Sequence, residues 1–295
     1  MKRRVLAIML AGAMAASMAA CGSKAEEKTE SAAASSAAEE TEEAAETAEE
    51  APAEEAEAED VDSEVAVIQE KGTLVVGITD FAPMDYKDAD GNWVGFDADM
   101  AAAFAESLGV NVEFLEIDWD NKILELDSGA IDCVWNGMTL TDEVMSAMEC
   151  TEAYLNNAQI VIVKAEDADK YQDVDSLKEL NFAVESGSAG AAVAEENGLN
   201  YTEVQNQAGA LMEIASGTAD AAIIDSLMAA AMVGEGTSYA DLTYTVALSE
   251  EEYGVGFRKG SDLAAALNDY FKAAMEEGIM DQIAEEYGVQ AALIK

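Results

Sequence analysis

Residues 72–117 read GTLVVGITDFAPMDYKDADGNWVGFDADMAAAFAESLGVNVEFLEI. Leu74–Ile78 and Val112–Ile117 are short apolar runs that predict strands. Between them, apolar residues at helical spacing predict a helix that Asp97 caps and that ends at Gly109. Because a strand, a helix and a second strand follow one another, the stretch is typical of a parallel sheet covered by helices.

The same alternation continues to the end of the chain and predicts an α/β fold. Five further strands are predicted at Cys133–Trp135, Ile160–Val163, Phe182–Val184, Ala221–Ile224 and Gly254–Arg258. In open α/β sheets, ligands bind at the carboxyl ends of the strands. The residues that follow these strands are polar, aromatic or glycine, but exit loops are polar in most proteins, so this pattern alone favours a site only modestly.

The composition excludes several classes of function. The 295 residues contain 15 Lys and Arg against 61 Asp and Glu, which gives a formal net charge of −46 and argues against a nucleic-acid partner. The chain has no histidine, so the triads, dyads and zinc sites that use imidazole are absent. Acidic side chains without histidine would leave only weak metal sites, so we expect no metal and no cofactor.

The N-terminal residues are typical of an exported lipoprotein. Residues 1–20 combine a basic start, a short apolar run and small residues, which is typical of a signal peptide, and Cys21 follows in a context that resembles a bacterial lipobox. The alternative is ordinary secretory cleavage with an incidental Cys21. Residues 21–64 are acidic and lack aromatic residues, which predicts a disordered tether. We therefore expect a protein anchored by lipid to the extracytoplasmic face of a bacterial plasma membrane.

Four motifs carry a resemblance to a known family. They are GTLVVG at 72–77, GFDADM at 95–100, GMTLTDE at 137–143 and YGVGFRKG at 253–260. Together they resemble the family 3 extracellular solute-binding proteins, the polar amino-acid receptors of ABC importers. The resemblance implies a type II periplasmic-binding-protein fold, in which two α/β lobes joined by a two-strand hinge close over one ligand. Lobe 1 would comprise residues 65–154 and 253–295, and lobe 2 residues 155–252.

The same resemblance implies a set of ligand-binding residues and a partner. Asp225 would receive the ligand's α-ammonium, and Phe81 and Trp119 would be aromatic walls. The remaining positions are Asn136, Gly137 and Thr139 from lobe 1, and Glu185 and Ser188 from lobe 2. The partners would be a small amino acid or related amine and the transmembrane subunits of an ABC permease, and the receptor itself would be a monomer without enzymatic activity.

One position departs from the family pattern. Val144 stands where the family's amino-acid receptors usually carry an arginine that binds the ligand's carboxylate. Either helix N-termini hold the carboxylate, or the ligand does not present one in the usual place. With Asp80, Asp85 and Asp225 nearby, we expect an acidic cleft that favours a cationic or zwitterionic ligand.

Two rival functions remain open at this stage. An exported dehydratase of the same fold acts on prephenate-like substrates, but its dicarboxylate substrate needs cations, and we expect none in this cleft. A scaffold role at the cell surface is the other alternative.

The two cysteines of the folded part raise a separate expectation. After lipidation of Cys21, Cys133 and Cys150 remain in an exported protein, which predicts a disulfide between them. The alternative is two free thiols packed as small apolar residues.

Overall fold

The structure, a computed structural model, describes residues 63–295. The helices are α1 Glu64–Lys71, α2 Phe96–Leu108, α3 Lys122–Asp127, α4 Asp142–Ala147, α5 Ala189–Glu196, α6 Gln207–Ser216, α7 Ser226–Met232, α8 Leu263–Glu276 and α9 Ile279–Tyr287. The strands are β1 Thr73–Ile78, β2 Tyr86–Lys87, β3 Trp93–Val94, β4 Asn111–Glu116, β5 Cys133–Thr139, β6 Glu149–Cys150, β7 Leu155–Lys164, β8 Asn181–Glu185, β9 Asn200–Val204, β10 Ala221–Asp225 and β11 Leu242–Phe257. Within this part of the chain, no helix has the length and apolar character needed to cross a bilayer.

The strands form two lobes that share a pair of long antiparallel strands. The order is β4-β1-β5-β11-β7-β10-β8-β9, with β6 also paired to β11. In the first lobe, β1 pairs in parallel with β4 and β5, and in the second lobe β8 pairs in parallel with β9 and β10. Strands β7 and β11 connect these two parallel sets.

The shared strands provide the predicted hinge. β11 pairs with β5 of the first lobe through Tyr253–Phe257 and with β7 from Leu242 to Tyr253. The type II periplasmic-binding-protein fold therefore agrees with the expectation from sequence. The lobe boundaries at 154/155 and 252/253 stay a prediction.

The core consists of three apolar clusters. The largest contains residues of both lobes, including Phe104, Trp135 and Ile162. A second lies in the second lobe around Phe182, and a third lies in the first lobe around Trp119. Because apolar clusters pack against the sheets of both lobes, each lobe positions the loops at its strand ends on a rigid base.

All seven predicted strands are present, but β5, β7 and β11 are several residues longer than predicted. β5 continues to Thr139, β7 begins at Leu155 and β11 begins at Leu242. The two short strands β2 and β3 pair with each other in antiparallel orientation. Helix α2 ends at Gly109 as predicted, in the left-handed conformation.

The predicted cap of α2 is wrong. Gly95 is the N-cap residue, and Asp97 lies fully buried in the first turn. There it accepts hydrogen bonds from the Gly137 amide and the Tyr154 hydroxyl, at 2.7 and 2.8 Å. A side chain that connects three elements in the core cannot also cap its own helix.

The predictions for the N-terminal segment concern residues that lie almost wholly outside the described part of the chain. The predicted signal peptide at 1–20, Cys21 and most of the predicted tether at 21–64 are among the residues that are not described. The last two tether residues belong to the folded part, because Ser63 caps α1 and Glu64 begins it. Glu64 also accepts a hydrogen bond from Arg258 at 2.5 Å, which ties α1 to the end of β11.

The structure contradicts the predicted disulfide. Cys133 and Cys150 are both free thiols. Cys133 pairs with Phe257 of β11 from one side, and Cys150 pairs with Gly256 of β11 from the other. The two cysteines are therefore separated by two strand spacings, or about 10 Å, whereas a disulfide needs Cα atoms within about 7 Å. The prediction failed because β11, which comes later in the chain, inserts between the two segments.

Candidate functional site

The carboxyl ends of the strands in both lobes face a single cleft of about 340 Å³. This volume is in the range of pockets that enclose small molecules. All eight predicted binding residues line it: Phe81, Trp119, Asn136, Gly137, Thr139, Glu185, Ser188 and Asp225. Their contact with a ligand stays a prediction, but the sequence identified residues that the fold brings together from five separate segments.

An irregular stretch of β5 forms the floor of the cleft on the first lobe. The register places Met138 opposite Gly254 and Val134 opposite Gly256, so β5 bulges over residues 135–137. Gly137 has φ +55°, and a Cβ atom there would lie 2.5 Å from the Phe81 ring. Only glycine fits this position without moving the aromatic wall.

The Asn136 side chain holds the first lobe together rather than facing a ligand. Its Oδ1 accepts from the amide and hydroxyl of Thr79, at 2.9 and 2.7 Å. Its Nδ2 donates to Asp85 at 2.7 Å. Asn136 therefore contributes its backbone to the cleft, and its side chain fixes the loop after β1.

The Gly137 amide is fixed by a buried acid that the sequence did not assign to the site. Asp97 accepts its hydrogen bond, and burial raises the pKa of Asp97 to about 7 although the two hydrogen bonds favour the carboxylate. This contact sets the orientation of the peptide unit at the floor of the cleft.

On the second lobe, a turn opens helix α5. Ser188 caps the helix, because its hydroxyl accepts from the Ala191 amide at 3.2 Å. Gly187 has φ +67°, and a Cβ atom there would lie 2.7 Å from Cα of Asp120. The backbones of the two lobes therefore approach each other closely at this edge of the cleft.

Asp225 lies at the end of β10, 3% exposed, within a set of amide groups. Its carboxylate accepts from Asn157, from Gln159 at 2.6 Å and from Gln207. Glu251 also accepts hydrogen bonds from Asn157 and Gln159, which both lie in β7, so a second carboxylate lies beside Asp225. Burial, and then the charge of Glu251, raise the pKa of Asp225 well above its usual range.

Glu185, at the end of β8, is a second buried acid of the cleft. It is 3% exposed, and its Oε1 has no hydrogen-bond partner among the described residues. Burial raises the pKa of Glu185 to about 8, while the Gln207 side chain, and then the charge of Lys122, act in the opposite direction. A buried acceptor without a donor is costly, so a donor from a ligand would be strongly favoured at this position.

Lys122, Gln159 and Gln207 also line the cleft, and the sequence analysis did not select them. Gln159 lies within β7, and Gln207 follows β9, a strand that the apolar pattern did not predict. Lys122 begins α3 and is 8% exposed. The expectation of a cleft without cations is therefore wrong.

The acidic character of the cleft comes from the expected Glu185 and Asp225 and, in part, from acids that were not expected. Asp80 and Asp85 do not line it, whereas Asp142, Glu143 and Glu196 do. Val144 is buried in the apolar cluster around Trp119, so no charged group occupies that position. In residues 63–295, no group of acidic or cysteine side chains is arranged to hold a metal ion.

Comparison with known proteins places this geometry in a family. A model of the bacterial extracellular solute-binding proteins, family 3, matches residues 74–290. The chain belongs to this family. The match contains β1 through α9 and thus every residue that lines the cleft.

Two curated members illustrate the likeness. The L-cystine-binding protein TcyJ of Escherichia coli is 27% identical over 224 residues, covering 75% of this chain and 84% of the relative. The arginine-binding extracellular protein ArtP of Bacillus subtilis is 29% identical over 223 residues, covering 74% and 86%.

Solved structures agree with the assignment to the family. A mutant of ArgBP from T. maritima superposes with a TM-score of 0.71 at 30% identity, covering 76% of this chain and 98% of that one. An ancestral amino-acid-binding protein, described as a precursor of cyclohexadienyl dehydratase, gives 0.70 at 33% identity, covering 76% and 99%.

Proposed function

We propose that the protein is the receptor of an ABC importer for an L-α-amino acid with a cationic side chain. The observation that carries the proposal is the buried carboxylate of Asp225 at the end of β10. Its amide partners orient it, but none of them neutralises it, and a second carboxylate lies beside it. An ammonium group supplies both the charge and the donors that this position requires.

The charges that line the cleft support a cationic ligand. The lining contains the acids Asp142, Glu143, Glu185, Glu196 and Asp225 and a single base, Lys122. A ligand with net negative charge would be repelled, whereas a second cationic group would find the unpartnered Oε1 of Glu185. ArtP and ArgBP carry arginine in their names, which agrees with this choice.

A thermal-shift screen tests the proposal. The protein is heated with each of the common L-amino acids, and we expect cationic ones to raise the melting temperature most, because a ligand that binds only the folded state stabilises it by mass action. A shift with L-glutamate or L-aspartate and none with L-arginine, L-lysine or L-histidine would contradict the proposed ligand class.

We propose that transport, rather than catalysis, is the role of this cleft. The dehydratase alternative has one argument in its favour, because Lys122 supplies a cation that a dicarboxylate substrate would need. However, five acids line the cleft beside this one base, and their charges would repel a dicarboxylate. Incubation with prephenate followed by ultraviolet detection of an aromatic product tests the alternative, and product formation would make the protein an enzyme.

We also propose that Cys21 carries the lipid that holds the receptor at the extracytoplasmic face of the membrane. The acidic segment that follows has no apolar surface with which to bind a bilayer, so anchoring depends on the cysteine. Replacing Cys21 with Ser should release the protein from the membrane pellet, and a variant that stays in the pellet would argue against lipidation.

A further inference from the structure

We propose that Lys122 binds the carboxylate of the ligand and thereby makes the receptor selective for amino acids over the corresponding uncharged amides. The proposal rests on the proposed function, since it requires a ligand that carries both an ammonium and a carboxylate. In this proposal the α-ammonium of the ligand binds Asp225 and its carboxylate binds Lys122.

The ammonium of Lys122 is held at the edge of the cleft by two backbone carbonyls. Nζ donates to the Trp119 carbonyl at 3.3 Å and to the Gly187 carbonyl at 2.9 Å. It also lies 5.0 Å from the centre of the Trp119 ring. An ammonium has three donors, and these two hydrogen bonds leave one for another acceptor.

The charge of Lys122 is not balanced by an ion pair in the described residues. The charges of Glu143, Glu185 and Asp120 act on Lys122, but none of these acids accepts a hydrogen bond from Nζ. Burial lowers the pKa of Lys122, which means that its charged form lacks solvation. A ligand carboxylate would supply the missing anion and the missing acceptor together.

The position of Lys122 also gives the ligand a role in closing the cleft. Lys122 belongs to the first lobe, and its bond to Gly187 reaches the second lobe, to which Asp225 belongs. A zwitterion held at both ends would therefore add one contact on each lobe. The alternative is that Lys122 acts only through Gly187, as a structural contact between the lobes, and the experiment must separate these two roles.

The experiment compares probes that differ only in the carboxylate. L-Arginine is titrated against L-argininamide, and L-histidine against L-histidinamide, by competition calorimetry with the full chain. The variants are Lys122→Met and Lys122→Gln, the second of which keeps a donor near Gly187. Lys170→Met is the matched control, because Lys170 is an exposed lysine of the second lobe that pairs only with Asp167.

We expect wild type to prefer the acid over the amide by on the order of tens of fold, the usual magnitude of a buried charge-assisted hydrogen bond. Both Lys122 variants should lose most of this preference. Their affinity for the amino acid should fall, whereas their affinity for the amide should stay within about threefold of wild type. Lys170→Met should match wild type.

Equal losses for acid and amide would overturn the proposal and assign Lys122 to contact between the lobes. An unchanged preference in both variants would overturn it as well. A wild-type protein that binds none of the four probes would contradict the proposed function itself, and the Lys122 proposal with it.

Discussion

Burial determines how costly a negative charge is on the two acids of the cleft, Asp225 and Glu185. Asp225 and Glu185 are each 3% exposed, and neither has a cation within hydrogen-bond reach among the described residues. Removing a carboxylate from water without a counter-ion costs several kcal/mol, so these acids either hold protons or await a cation. A cationic ligand would supply the missing counter-ion, so the cleft favours this class of solute.

Glu185 gives a prediction about the pH dependence of stability. Its pKa is about 8 in the folded protein against an ordinary value of 4.5, so between these values the folded chain holds a proton that the unfolded chain has lost. Stability contributed by this group is present below pH 4.5 and is lost as the pH rises toward 8. Glu185→Gln removes this loss.

The ligand-free melting temperature of Glu185→Gln should match that of wild type near pH 4.5 and exceed it by about 3 °C or more at pH 8.5. Differential scanning calorimetry measures both values. Glu203→Gln, on the exposed strand β9, serves as the control and should show no such difference. An equal offset at the two pH values would mean that Glu185 is not held protonated.

The sequence predicted several of the residues that line the cleft and missed others. Phe81, Glu185 and Asp225 could be found because the carboxyl ends of parallel strands form the site in this class of fold. Lys122 and Gln159 could not, because a lysine at the start of a short helix and a glutamine in a strand are ordinary residues in sequence. Their place in the cleft depends on how the two lobes face each other.

Among the secondary-structure elements, β7 and β11 show why the hinge was harder to predict than the lobes. The apolar pattern marked only Ile160–Val163 and Gly254–Arg258, yet the strands extend over Leu155–Lys164 and Leu242–Phe257. In β11, Leu242–Leu248 contains the Thr, Tyr and Val that favour strands, whereas Glu250–Glu252 become strand because they lie opposite Asn156, Asn157 and Ala158 of β7. Long-range pairing overrides local propensity at these polar residues.

The turn between β8 and α5 gives a prediction about closure. Gly187 and Gly198 both have positive φ, +67° and +60°, so alanine is strained at either position by about 1–2 kcal/mol. At Gly187 the new Cβ would lie 2.7 Å from Cα of Asp120 in the other lobe. At Gly198 the nearest atom to a new Cβ is Nζ of Lys178, at 4.0 Å.

Gly187→Ala should therefore weaken binding of L-arginine by on the order of tenfold or more, whereas Gly198→Ala should leave it unchanged. Calorimetry in parallel on the two variants checks this. Equal affinities in the two variants would show that the contact between Gly187 and Asp120 is not part of the bound state.

For the molecule as a whole, the two lobes and the order of the elements were predictable, but the neighbours of each strand were not. The expected disulfide failed for this reason, because β11 returns from the far end of the chain to lie between Cys133 and Cys150. The cleft depends on the same arrangement, since β11 and β7 bring Asp225 of one lobe opposite Lys122 of the other.

The receptor function as a whole is tested most directly by calorimetric titration of L-arginine into wild type and Asp225→Asn at neutral pH. Asparagine keeps the shape of the side chain and removes its charge. We expect one site per chain with micromolar or tighter affinity in wild type, and a loss of about 3 kcal/mol, or more than a hundredfold, in the variant. Equal affinity in the two proteins, or binding of L-glutamate in preference to L-arginine, would contradict the account.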